Sequence, residues 1–144
     1  MNPKIKAVFT TRAGFGLTVV RILVGIIFVA HGSQKLFGAF GGYGLEGTGQ
    51  YMESLGLTPG YLMALVSGSA EFFGGLGLVV GLLARPAAVV LAATLVVAIF
   101  SVHISHGLFM ANNGYEFALA LLGGVVAVLI KGAGKFSLDR QIGN

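Results

Sequence analysis

Not one of the 144 residues is cysteine, and none is tryptophan. Without cysteine the chain cannot form a disulfide, a thiolate metal site, an iron–sulfur cluster or a cysteine nucleophile. Without tryptophan, tyrosine and phenylalanine must supply any aromatic belt at a membrane surface. Charge is scarce as well. Asp, Glu, Lys and Arg make up 10% of the residues, against roughly 25% in a soluble domain. Proline occurs three times, and the 24 glycines follow no Gly-X-Y period, which excludes collagen. A core folded in water needs a charged surface that this chain does not have, so a disordered tail, a coiled coil and most soluble enzymes are excluded.

What is present is apolar. Apolar residues are 56% of the chain and the mean hydropathy is +0.90, which makes lipid the expected solvent. A helix that crosses the hydrocarbon needs about 20 mostly apolar residues. Four stretches answer to that: 17–37, 61–83, 86–110 and 115–130, the last of them short. Residues 38–60 form one long Gly-rich outer loop, in which 48–55 reads as an interfacial helix capped by Thr48. Arg85-Pro86 reads as a tight hairpin and Asn112-Asn113-Gly114 as a turn. Short turns force neighbouring helices to run antiparallel. The fold expected is all-α: a single polytopic membrane domain over 1–144, built as an up-down four-helix transmembrane bundle.

The charges orient the bundle. Lys4, Lys6 and Arg12 sit at the amino end, Lys131, Lys135 and Arg140 at the carboxyl end, and Arg85 in the second loop. The first loop carries Glu46 and Glu53 and is flanked by Lys35, and the third loop has no charge. The positive-inside rule then places both termini and the Arg85 turn in the cytoplasm of a multi-pass plasma-membrane protein. The basic balance does not point to nucleic acid, because no basic stripe with interleaved aromatics is present. The first span is read as retained, since His31 and Lys35 interrupt a signal-like apolar stretch and no clean cleavage site follows.

Ionisable groups at membrane depth are costly and usually functional. At 1.5 Å per residue from the outer ends, Glu116 lies about 3 Å in, His106 about 6 Å, His31 about 9 Å, His103 about 10 Å and Glu71 about 15 Å. Arg21, His31 and Lys35 share an arc of about 80° on the first helix, with Gly25, Phe28 and Gly32 nearby. Glu71 has Ser67, Gly68, Gly74 and Gly75 at helical spacing, a small-residue stripe that sets the acid against another helix. Glu116, seven residues from Gly123, is read as facing inward too. Glu71 is the first candidate for a proton-handling or ligand-binding carboxylate, paired with Arg21 or His31; a buried ion pair that fixes register is the structural alternative. His31 reads as a ligand donor or proton carrier, or as a satisfied histidine. His103 and His106 are a weak signal for metal or haem, including a haem held between His31 and His103. No Glu-x-x-His occurs, so a di-iron bundle site is not expected. Gly75-Leu76-Gly77 is helix packing rather than a dinucleotide fingerprint.

Several stretches together resemble a known family. They are Arg21-x3-Gly25 leading to His31-Gly32-x2-Lys35-Leu36; Glu71-Phe72-Phe73-Gly74-Gly75 followed by Gly81-Leu82-Leu83-x-Arg85; Asn113-Gly114-x-Glu116; and Gly132-x-Gly134-Lys135-Phe136-Ser137-Leu138-Asp139. In this order, over nearly the whole chain, they resemble the DoxX family of small bacterial membrane proteins, part of the broader DoxD-like group. The resemblance implies a four-helix membrane protein and marks Arg21, His31, Lys35, Glu71 and Glu116 as its polar pattern. Some relatives are linked to quinone-coupled sulfur oxidation and others to complexes that handle oxidative or thiol stress. With no cysteine in this chain, a partner would have to supply any sulfur chemistry.

Three functions follow as expectations. The first is a subunit of a quinone-linked or oxidative-stress redox complex. Here Glu71 and His31 carry the catalytic role, and His31, Lys35, Arg21, His103 and Glu116 hold the quinone, with no metal site. His31 would bond a quinone oxygen, Glu71 would relay its proton, and Lys35 or Arg21 would stabilise the reduced anion. Electrons would come from a redox-enzyme partner. The second is a non-catalytic membrane scaffold for soluble redox enzymes. The third is a small-solute or proton permease, which would require a homo-oligomer.

Overall fold

The computed structural model describes Pro3 and residues 14–143, and every regular element among them is helical. In chain order these are α1 (Phe15–Phe37), α2 (Gly44–Ser54), α3 (Gly60–Val80), α4 (Ala84–Ala98), α5 (Glu116–Lys131) and α6 (Leu138–Gly143). The expected basic cluster of Lys4, Lys6 and Arg12 lies outside the described residues. The first and second long helices end where a glycine takes the left-handed conformation that side chains disfavour: Gly38 (φ 68°) after α1 and Gly81 (φ 71°) after α3.

Among the described residues three helices are long and apolar enough to cross a membrane: Phe15–Phe37, Gly60–Val80, and Ala84–His106, in which α4 continues through a π-helical turn (Ile99–His103) and a 3-10 turn (Ile104–His106). The fourth, α5, has 16 residues. That is about 24 Å of helix, short of a hydrocarbon core of roughly 30 Å.

Three local expectations change. The turn between α3 and α4 is Gly81–Leu83, so Arg85 belongs to the first turn of α4 rather than to a hairpin, while Pro86 sits in that first turn as its fixed φ and missing amide favour. Regular α-helix in the third span stops at Ala98, well short of 110. Thr48 does not cap α2. That helix begins at Gly44, and Thr48 is a buried residue within it.

The core is drawn from four helices: Val24 and Phe28 of α1, Leu78 of α3, Leu91 and Leu95 of α4, and Leu121, Val125 and Val128 of α5. The outside is as apolar as the inside. Leu23, Ile26, Val66, Val89 and Val97 are all about half exposed or more. Such a continuous apolar surface suits lipid and would aggregate in water.

Candidate functional site

The site grows from the contact between α1 and α3. A Cβ on Gly25 would lie 2.9 Å from the carbonyl oxygen of Gly75, and one on Gly75 would lie 2.8 Å from that of Gly25. A Cβ on Gly32 would collide with the backbone of Phe72, and one on Gly68 would lie 3.1 Å from the Cβ of Lys35. Glycine is therefore what lets the two backbones touch. The contacts pair residues in reverse order along the two helices, so α1 and α3 run antiparallel. Gly74 belongs to another seam, its Cα facing Leu91 of α4.

This approach brings Lys35 to Glu71. The ammonium donates to both carboxylate oxygens, at 2.5 Å (Oε1) and 2.6 Å (Oε2). The two side chains are 23% and 11% exposed, so the pair is mostly sheltered and Lys35 is its more open member. Phe72 and Phe73 follow Glu71 in sequence, and Phe37 lies two residues past Lys35. Phe37 meets Phe72 edge to face at 5.5 Å, and Phe72 meets Phe73 at 5.2 Å. Phe37 and Phe73 are both about two-thirds exposed.

The other expected residues lie elsewhere. Arg21 does not pair with Glu71. It is fully buried and donates through Nη1 to the carbonyls of Leu78 (2.6 Å) and Val79 (3.1 Å), and through Nη2 to that of Phe136 (3.1 Å). The physical reason is register: in the antiparallel pair Glu71 is level with Gly32, some 11 residues or about 16 Å of helix from Arg21. His31 does not reach Glu71 either. Its Nδ1 bonds the carbonyl of Ile27 at 2.9 Å, and its ring stands 6.0 Å from that of Phe117 on α5.

His103 closes the π-helical turn, and its Nδ1 bonds the carbonyl of Asn113 at 2.9 Å. His106 is exposed. Among the described residues no three His, Cys, Asp or Glu side chains are grouped to hold a metal. Glu116 is exposed and accepts from the amide of Met110 at 3.1 Å. Its heptad partner Gly123 faces open space, so that side of α5 points outward. The packed glycine is Gly124, against Val24 and Val20.

A second polar network gathers where residues 132–143 fold back. Asp139 accepts from the amides of Leu83 (2.8 Å) and Ala84 (2.9 Å), capping α4 from a distant part of the chain. Arg85 donates to the last carbonyls of α5, those of Leu129 (3.2 Å) and Ile130 (3.3 Å). Thr18 donates to the carbonyl of Lys135 at 2.5 Å. Ser137, which accepts from the amide of Arg140 at 3.3 Å, caps α6. Sequence reasoning used Arg85 for orientation and counted Arg85, Ser137 and Asp139 in the family pattern, but it gave none of the four residues these contacts. The Ser137-x-x-Arg140 cap has a local signature, but the cap by Asp139 depends on tertiary contact alone.

An all-helical chain with membrane-length apolar helices and an ion pair between two of them defines the class: a helical membrane protein. The DoxX family model matches residues 16–104, more than half of the chain. This chain therefore belongs to the DoxX family. It is 35% identical to "Inner membrane protein YqjF" of Escherichia coli over 127 residues, 88% of this chain and 92% of that protein. It is 37% identical to "Putative oxidoreductase CatD" of Bacillus subtilis over 106 residues, 74% of this chain and 72% of that protein. A third relative, "Inner membrane protein YphA" of Escherichia coli, is 32% identical over 130 residues, 87% of this chain and 89% of that protein. No solved structure matches the chain.

Proposed function

We propose that this protein is a multi-pass membrane subunit of a redox complex, with four spans running up and down and both termini cytoplasmic, and that Lys35 and Glu71 are its proton-handling site. The observation that carries this reading is the Lys35–Glu71 pair itself, an ammonium and a carboxylate from two membrane-length helices, only 23% and 11% exposed. An ion pair between membrane helices is expensive to keep unless it serves a purpose. The name of the Bacillus subtilis relative, "Putative oxidoreductase CatD", points the same way.

The donor set fits a quinone. A quinone, when bound, supplies the two-electron, two-proton redox chemistry. The Lys35 ammonium offers N–H donors to a carbonyl oxygen. Glu71 exchanges a proton at its carboxylate. The exposed rings of Phe37 and Phe73 offer flat apolar faces. Electrons enter through a redox-enzyme partner. Arg21 takes no part, since its guanidinium is committed to three carbonyls.

Native mass spectrometry of the detergent-purified protein with added decylubiquinone tests this. Wild type should retain a quinone mass that Glu71→Gln and Lys35→Met both lose while staying monodisperse and helical. Wild type that binds no quinone overturns the assignment.

A second reading, a non-catalytic scaffold for soluble redox enzymes, is favoured by the structural employment of Arg21, His103 and Glu116, all bonded to main chain. On that reading Glu71→Gln disturbs assembly of the complex. On the first it leaves assembly intact.

A further inference from the structure

The fold-back of residues 132–143 leaves a depression of about 520 Å³ at that end of the bundle, bordered by Arg85, Lys131 and Arg140. Three cations thus converge from three elements: the start of α4, the end of α5, and α6. The one acid beside them is Asp139, and both of its oxygens are already occupied by the amides of Leu83 and Ala84. Among the described residues none of the three cations has a carboxylate within ion-pair distance. Arg85 spends Nε and one Nη on the carbonyls of Leu129 and Ile130, which fixes its guanidinium in place. Lys131 and Arg140 are exposed.

The rim of the depression is apolar. Leu83 is 63% exposed and Ile142 75%; just outside it Ile130 is 64% exposed. Phe136 is 76% exposed and braced edge to face against Phe15, with ring centroids 6.1 Å apart. A water-facing anion site has no use for such a rim. A lipid has two parts, a phosphate that wants cations and chains that want hydrocarbon, and this surface presents both in one place.

We propose that Arg85, Lys131 and Arg140 form a headgroup site for an anionic phospholipid of the leaflet facing this end, its chains lying along the exposed side chains of the rim. Basic pockets at the ends of membrane helices bind such headgroups by this combination of charge and apolar contact. The proposal is independent of the redox reading and concerns the opposite end of the bundle.

The test is native mass spectrometry of the full chain in detergent, titrated with dioleoyl phosphatidylglycerol or dioleoyl phosphatidylcholine. Wild type should keep phosphatidylglycerol adducts at collision energies that strip phosphatidylcholine. The double variant Lys131→Gln/Arg140→Gln should weaken phosphatidylglycerol binding on the order of tenfold or more, given that each cation near the surface contributes substantially. Arg85 is left in place because it also caps α5. Lys135→Gln, at the same end but outside the depression, should weaken binding much less. Equal retention of the two lipids, or a loss from Lys135→Gln matching that per charge in the double variant, overturns the proposal. So does displacement of phosphatidylglycerol by millimolar inorganic phosphate, which would make the depression a site for small anions. The wild-type comparison stands even if the double variant fails to fold.

Discussion

Where residues 132–143 fold back, Arg21, Arg85 and Asp139 all bond to main chain; at the other end Lys35 and Glu71 bond to each other. The difference is chemical. A guanidinium on the last carbonyls of a helix, or a carboxylate on its first amides, answers groups that every helix leaves unsatisfied. Charges placed there satisfy main-chain groups and serve stability. An ammonium facing a carboxylate answers no helix end. The first network ties helix ends together, and the second is the pair to which the proposed function gives the proton.

The comparison breaks most easily at Arg21. Arg21→Leu leaves the carbonyls of Leu78, Val79 and Phe136 without a donor in a buried site, and each orphan costs about 1–3 kcal/mol. The expected outcome is loss of most monodisperse protein in size-exclusion chromatography, partly restored by Arg21→Lys. A melting temperature equal to wild type would mean that this network contributes nothing to stability.

Gly32→Leu comes next. The new side chain has to displace the backbone of Phe72, and overpacking of this kind costs about 1–3 kcal/mol. It also drives apart the two helices that carry Lys35 and Glu71, so quinone retention should fall along with the melting temperature. Gly123→Ala is the matched control. Its Cβ meets nothing, and replacing a mid-helix glycine should stabilise by roughly 0.5–1 kcal/mol. If both variants behave alike, close approach of α1 and α3 does not set the site.

Asp139→Ala removes the acceptor from two amides at the start of α4 and should cost about 0.5–2 kcal/mol, read as a lower melting temperature in detergent. Asp139→Asn keeps one acceptor and should recover part of that loss. Neither should affect quinone retention, because the change lies at the opposite end from Lys35.

These variants also mark what the sequence could reveal. Apolar runs disclosed the long helices because lipid imposes length and hydropathy on any span. The glycines beside Glu71 disclosed that the acid faces a helix, since Gly68 and Gly75 do pack on α1. The partner of Glu71 was not legible. Phase puts Arg21, His31 and Lys35 on one arc, but only the register between α1 and α3 selects among them, and register is fixed by contacts such as Gly25 with Gly75. Counting depth from span ends failed for the same reason, because α3 begins beneath α2, where Glu53 caps the amide of Gly60 at 2.6 Å. Asp139 was invisible because its amides lie more than fifty residues away in the chain.

The smallest expected effect is the sharpest test of the distinction. Glu116 sits at the same end as the ion pair but accepts from main chain, the amide of Met110, like the charges at the far end. The segment around it is held by backbone bonds whatever residue 116 is: the amide of Tyr115 to the carbonyl of Gly107 at 3.0 Å, and the amide of residue 116 itself to that of Leu108 at 2.8 Å. Glutamine keeps an oxygen that can accept from Met110, so Glu116→Gln should shift stability by no more than about 0.5 kcal/mol. If charge bonded to main chain is structural wherever it lies, quinone retention should also be unchanged. A variant that melts like wild type yet loses the quinone would show that position in the bundle, not the kind of partner, decides which charges are functional, and Glu116 would then join Lys35 and Glu71.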